Sequence, residues 1–455
     1  MVSRVLIGGC EVVATMDDLG TEIPGGSILF EDGVITWVGS GEPPDAARDA
    51  ERVDGRGTVA IPGLVNTHHH MYQAMTRTFA QDRGLFEWLV ELYPVWTGLD
   101  AVWEHAAARV GLAELALSGC ATTSDHHYVF PAGAGDLLEV EIDAARELGL
   151  RFHPCRGSMD LGESDGGLPP DRLVERTDDA LARTEEAVTR FHDPEPGSML
   201  RIAVAPCSPF SVSERLMREA AELARRLDVR LHTHLAETTD EERHCLERFG
   251  RRPLELMDEW GWLGEDVWFA HGVHLDEKDV RRIAETGTGV AWCPSSNLRL
   301  GSGIAPGRTL LDEGARTGLG VDGSASNDAG HLLAEARQAM LVSRASGLDG
   351  GLTARETLRV ATRGGAAVLG RADVGSVEPG MRADVALFPV DELATAGADA
   401  DLVAALVFAP PPRVRHLFVD GRPVVRDGRL ANADEDEIAR EGHRVARRIA
   451  HGGER

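Results

Sequence analysis

The chain has 455 residues, 43% of them hydrophobic, and a formal net charge of −27 from 74 acidic against 47 basic side chains. That length holds one large α/β domain with an appendage, or two to three ordinary domains. The acidic excess repels phosphate backbones and argues against nucleic acid as a partner, and no apolar run is long enough to span a bilayer.

No charged-then-apolar leader follows Met1, so a cytoplasmic address is the expectation. The six cysteines (Cys10, Cys120, Cys155, Cys207, Cys245, Cys293) are scattered without a CxxC pair. They read as structural thiols rather than a disulfide framework.

In chain order, residues 1 to about 58 are short β elements with turns: RVLIGGCEVVAT, then SILFEDGVITWVG with an Asp32-Gly33 hairpin signal. From Val59 the texture changes. A first apolar run, VAIPGLVN, is followed by GCATTSDHH, LRFHPCRGS, LRIAVAPCS, VRLHTHLAE, VWFAHGV, TGVAWCPSS and TGLGVDGSA. Between them lie amphipathic stretches at Val102–Leu117, Asp136–Leu148, Arg172–Phe191, Ser213–Leu227 and Glu277–Glu285. Eight strands, most followed by a helix, predict a closed (β/α)8 barrel of the TIM type.

After about Gly375 the β texture returns, with Asp420-Gly421 and Asp427-Gly428 turn signals. The predicted fold is therefore α/β. A barrel spans residues 59–375, a small β-sandwich combines 1–58 with 376–433, and a polar helix and tail cover 434–455.

Barrel enzymes carry their chemistry at the C-terminal ends of the strands. The first run ends in VAIPGLVNTHHHMY, where side chains at i and i+2 share a side, so His68 and His70 converge while His69 faces away. His232 and His234 end the fifth strand, followed by Glu237. His271 ends the sixth, and Asp322 ends the eighth. Singly, each could be a hydrogen-bonded buried group, or a helix cap in the case of Asp322. Four strand ends carrying His or Asp together favour a metal site.

These same segments resemble the amidohydrolase superfamily: His68-x-His70 after PGLVN, then HTHLAE, FAHG and GVDGSASND. The resemblance covers the whole chain, including a sandwich built from both termini. It implies that His68, His70, His234 and Asp322 bind the metal, that Glu237 shuttles the proton, and that His271 orients the attacking water. Many members bridge two metals with a carboxylated lysine on the fourth strand. Here that strand reads LRIAVAPCSPF, and Lys278, the only lysine in the chain, lies after the sixth. One divalent ion is therefore expected. Zinc suits the ligand set best and iron also fits. Such an ion lowers the pKa of water towards about 7.

Finer segments, HHHMYQ, LYPVW, GCATTSDHHYVFP, RGSMDLGESDGGLPP, APCSPFSV and CPSSNLRLGSGI, resemble the bacterial 8-oxoguanine deaminases, which also accept isocytosine. The implied reaction hydrolyses 8-oxoguanine to urate and ammonia. A flat polar ring needs a donor–acceptor partner at its edge, for which Gln73 and Arg156 are the candidates. It also needs an aromatic wall, for which Trp96 and Tyr128 are the candidates.

Related guanine deaminases carry an arginine within the segment that here reads APCSPFSV, and its absence argues against plain guanine. His126 and His127 are read as supporting or rim residues outside the ligand set. Rings of thioether nucleosides, s-triazines or pterins remain as alternative substrates, and a barrel scaffold without metal remains as a distant one. A homo-oligomer is expected by analogy with other barrel enzymes.

Overall fold

The computed structural model describes residues 3–346 and 350–451. Eight parallel strands close into a barrel: β1 (Leu64–Asn66), β2 (Cys120–His127), β3 (Arg151–Ser158), β4 (Ala203–Pro206), β5 (Arg230–Leu235), β6 (Val267–His271), β7 (Gly289–Trp292) and β8 (Arg316–Leu319). Each pairs with its chain neighbour, and β8 returns to β1 through Leu319 and Asn66. Every residue of β2, β3, β4, β6 and β7 is buried. A parallel sheet covered by helices on one face and filled on the other imposes that pattern. Val65, Cys155, Ala203, Ala205, Trp268 and Ala291, from five of the strands, share one apolar cluster in which Trp268 is the only large ring. Its indole N–H donates to the Thr67 carbonyl at 3.1 Å.

The sandwich has two sheets. Arg4–Gly8, Ser27–Glu31, Val34–Gly39 and Glu51–Asp54 form the smaller one. The larger combines Val12–Ala14, Glu22–Pro24 and Thr58–Pro62 with Val385–Pro389, His416–Val419, Arg422–Arg426 and Arg429–Leu430. Val5, Ile7, Ile28 and Phe30 of one sheet cluster with Val13, Ala60, Val385, Leu387 and Phe418 of the other. Asp32-Gly33, Asp420-Gly421 and Asp427-Gly428 each have positive φ at both residues and close two-residue hairpins, as the Asp-Gly pairs predict.

The Val59 run is divided between the two bodies. Thr58–Pro62 pairs with Val12–Ala14 and Val385–Pro389 in the sandwich, and only Leu64–Asn66 enters the barrel. The chain changes partner at Gly63, where a Cβ would overlap the Ala121 methyl. Residues buried on both sides read as one apolar run whichever sheet they join, so the change of partner leaves no trace in the hydrophobic pattern.

Within 376–433 the β texture is interrupted by a helix, Leu402–Phe408, which packs on the helices Leu332–Ala345 and Ala354–Arg359. The stretch from Arg172 becomes helical only at Thr177, after a short 3-10 turn at Asp171–Leu173.

Asp434 caps the last helix, Glu435–Ala450, accepting from the N–H groups of Asp436 and Glu437. That helix lies on the helix Ala101–Leu117, where Arg109 pairs with Glu441 at 2.8 Å. The tail expected beyond it, residues 452–455, lies outside the described residues. No described helix is long and apolar enough to cross a membrane.

Candidate metal and deaminase site

His69–His70 and Asp322–Gly323 pair as a short parallel ribbon at the end of the β1/β8 seam, which brings the first and last strand ends together. His70 Nε2 lies 3.1 Å from His234 Nε2. Asp322 Oδ1 lies 3.3 Å from Nε2 of both His68 and His70. Four donors held 2.0–2.2 Å from one ion at tetrahedral angles stand about 3.4 Å apart, so these separations match a single tetrahedral centre.

The protons on these rings follow from their partners. His70 Nδ1 lies 2.7 Å from the His126 carbonyl and His234 Nδ1 lies 2.6 Å from the Cys207 carbonyl. A carbonyl only accepts, so both Nδ1 atoms carry hydrogen and both Nε2 atoms carry lone pairs. His68 reaches the same state through a relay. His232 Nδ1 donates to the Trp268 carbonyl at 2.9 Å, which leaves His232 Nε2 to accept from His68 Nδ1 at 2.8 Å. His68 Nε2 is then a buried nitrogen with no hydrogen-bond partner. Three bare nitrogens and a carboxylate oxygen facing one point repel one another unless a cation sits among them. The donor set fits one divalent ion.

Burial drives the histidines towards the neutral form: His70 and His234 fall to about 4, and His68 falls well below its ordinary value. Burial opposes ionisation of Asp322, yet the histidines that face it, His68 first, hold it well below the usual carboxylate range. Ser296 and Ser326 donate to Asp322 Oδ2 at 2.6 and 3.0 Å, leaving Oδ1 towards the histidines.

Glu237 lies beside this centre, its Oε2 3.5 Å from His271 Nε2. Burial, with the Asp322 charge next, pushes its carboxyl well above the usual range, so it holds a proton readily. Burial takes His271 down to about 3. Ala236, His271 and Asp322 all sit in the left-handed region, at φ of 52°, 76° and 60°. Non-glycine residues there carry strain that clusters at functional sites. Glu241 secures the first of these turns: its carboxylate accepts from the N–H groups of Ala236 and Glu237 at 2.8 and 2.9 Å.

A narrow cavity of about 30 Å3 opens directly onto the centre, lined by His70, His234, Glu237, His271 and Asp322 together with Gln73, Trp88, Tyr93, Tyr128, Cys207, Ser208 and Phe210. Gln73 and Tyr128, expected to meet the substrate, line it, and Gln73 Oε1 is buried without a partner.

Trp96 and Arg156 do not line the cavity. Trp96 stands behind it, packed on Tyr72, Trp88 and Tyr93, with its N–H 3.3 Å from Thr76 Oγ1. Trp88, on the inner face of the same helix, takes the wall position. Arg156 faces away, in a bidentate pair with Glu175 at 2.8 Å and 3.7 Å from the Phe130 ring centroid. Its partner lies in a loop that no local pattern connects to it.

All six cysteines are free and buried, but Cys207 is more than a filler, because it lines the cavity. The His126 ring stacks on His234 at 4.8 Å, and its carbonyl orients His70. His127 joins a separate buried group, 2.9 Å from Glu141 and 3.8 Å from Glu104. Ser296, Ser326, Glu241 and Asn297 were not visible as site residues. Ser296 and Asn297 act through hydrogen bonds to Asp322 and His271 on other strand ends, whereas Ser326 and Glu241 bond within five residues of themselves, and the one available hint was their position past strand ends.

Comparison with known proteins agrees with this geometry. An 8-oxoguanine deaminase of Pseudomonas aeruginosa is 46% identical over 91% of this chain and 92% of its own. A hydroxydechloroatrazine ethylaminohydrolase of a Pseudomonas species is 38% identical over 99% of this chain and 97% of its own. Among solved structures, an atrazine chlorohydrolase from Arthrobacter aurescens complexed with zinc superposes with a TM-score of 0.91 at 34% identity, covering 97% of this chain and 100% of that one. Residues 59–424 match the Amidohydrolase family, and the chain belongs to it as a metal-dependent hydrolase of C–N bonds.

Proposed function

We propose that this hydrolytic deaminase converts 8-oxoguanine to urate and ammonia, and that it also accepts isocytosine. The observation that carries the reading is the aromatic-walled cavity set directly against the four-donor centre, with the Gln73 amide oxygen buried there without a partner. Trp88, Tyr93, Tyr128 and Phe210 supply the flat apolar faces that a bare heteroaromatic ring packs against. The 46% identity with a named 8-oxoguanine deaminase supports the same substrate.

His68, His70, His234 and Asp322 would hold the ion. When bound, it supplies Lewis-acid activation of water near neutral pH. Glu237 takes a proton from the attacking water and delivers it to the ring nitrogen beside the amino-bearing carbon, so charge does not accumulate as that carbon becomes tetrahedral. The same carboxyl then takes the proton of the new hydroxyl as the carbonyl forms and passes it to the departing amine, which leaves as ammonia. His271 directs the water, Gln73 reads the amide-like edge with both a donor and an acceptor, and the aromatic walls exclude bulk solvent.

An N-alkylamino hydroxytriazine is the rival substrate, because the 38% identical relative is an ethylaminohydrolase. The test is amine release from a panel of 8-oxoguanine, isocytosine, guanine, an N-ethylamino hydroxytriazine and 5′-methylthioadenosine. Turnover of the first two, with guanine slow, is expected. Turnover of the triazine with 8-oxoguanine inert would overturn the reading.

A further inference from the structure

His271 differs from the three histidines of the donor centre in what holds it. Their Nδ1 atoms meet a carbonyl or, for His68, an acceptor nitrogen, which turns bare Nε2 atoms inward. His271 Nδ1 instead lies 3.0 Å from Nδ2 of Asn297, an amide nitrogen that can only donate. That bond makes Nδ1 the acceptor and places the ring proton on Nε2, the atom facing Glu237.

We propose that Asn297 is the positioning residue that fixes His271 as the Nε2–H tautomer, and so separates one inward-facing proton donor from three inward-facing lone-pair nitrogens. The inference rests on the function proposed above only for its kinetic consequence. Asn297 is suited to the task. It is buried on the short helix Pro294–Arg299 that follows β7, and its backbone is tied at both ends, its N–H to the Cys293 carbonyl at 3.0 Å and its carbonyl to the Ser302 N–H at 2.8 Å. Its main chain therefore cannot move away from His271 without moving the loop.

The proton on Nε2 has a use. A bare Nε2 would compete with His68, His70 and His234 for the ion, whereas an N–H can hold the attacking water or the oxygen that forms from it. A carboxylate at position 297 inverts the arrangement, because it only accepts and draws the proton to Nδ1.

The tautomer is read directly by nitrogen-15 NMR of histidine-labelled protein, metal-free and zinc-loaded, with His271 assigned by its loss in His271→Asn. Nδ1 is expected as the pyridine-type nitrogen and Nε2 as the pyrrole-type one in both forms. No substrate enters that measurement, so it stands whether or not the substrate assignment does. In Asn297→Asp the two types exchange, and kcat falls about 10²-fold with KM and zinc stoichiometry nearly unchanged. In Asn297→Ser, whose hydroxyl can still donate, kcat recovers part of that loss. A protonated Nδ1 in the unaltered enzyme, or an Asn297→Asp variant with unaltered kcat, overturns the proposal. If Asn297→Asp fails to fold, the spectrum of the unaltered enzyme and the Asn297→Ser kinetics still decide it.

Discussion

Glu237 holds one oxygen 3.5 Å from His271 and the other buried without a partner, in a wall that otherwise offers mostly bare nitrogens and apolar rings. A carboxyl so placed is poised to exchange a proton with something that enters the cavity. Glu237→Gln keeps the size and the donor centre but removes the exchangeable proton. Ammonia release is expected to fall by about 10²–10⁴-fold while one metal ion per chain is retained, measured by steady-state assay and elemental analysis. Loss of the ion in that variant would move Glu237 from proton transfer into the ligand set. The positions of these residues were legible as far as strand ends reach. His234 lies on β5, and His68, His70 and Asp322 follow directly on β1 and β8, so the barrel and the ribbon at its seam aim them. Arg156 also lies on a strand, β3, but on its outward side, and the register that decides this is set by neighbouring strands.

At the scale of elements, the ribbon of His69–His70 with Asp322–Gly323 does two things at once. It joins the metal-facing residues of the first and last strands, and it leaves Gln73 pressed against Gly323, where any Cβ would collide with the Gln73 amide. Gly323→Ala is therefore expected to displace that amide, raise KM about 10-fold or more and leave metal content unchanged. An unchanged KM would show that Gln73 does not touch substrate.

The helix Leu85–Trp96 forms the opposite wall, with Phe86 packed on Phe210 at a centroid separation of 4.9 Å and an angle of 48° between the rings. Phe210→Ala removes that closure. It is expected to lower kcat/KM for 8-oxoguanine about 10-fold and to allow measurable turnover of 5′-methylthioadenosine. If the nucleoside stays inert, the wall does not set the size limit. This helix was missed because Phe86, Val90 and Val95 put apolar residues outside the buried stripe of Leu85, Trp88, Leu89, Leu92, Tyr93 and Trp96, and Pro94 stands inside the helix.

For the whole molecule, the buried histidines couple folding to pH. His70 and His234 titrate near about 4 in the fold, against an ordinary value of 6.5. Below that ordinary value the unfolded chain takes up protons that the folded chain refuses, so stability is full above 6.5 and is lost as pH falls towards about 4. Each group contributes a slope of up to about 1.4 kcal/mol per pH unit. Urea unfolding of metal-free protein across that range should show the decline, and His70→Gln with His234→Gln should make it shallower, the other buried histidines keeping the remainder. A flat profile in the unaltered protein would mean that the rings are not buried neutral.

The sequence by itself determined the eight-strand barrel, the sandwich drawn from both termini and the residues at the strand ends. Each of these is written in local periodicity, Asp-Gly turns and spacing along one strand. Only the tertiary structure decided where the Val59 run changes sheets, which aromatic ring faces the cavity, and which nitrogen of each histidine carries the proton. Those outcomes depend on carbonyls, amides and methyl groups supplied by distant segments, such as Cys207 for His234 and Trp268 for His232, and a one-dimensional pattern does not carry contacts of that range.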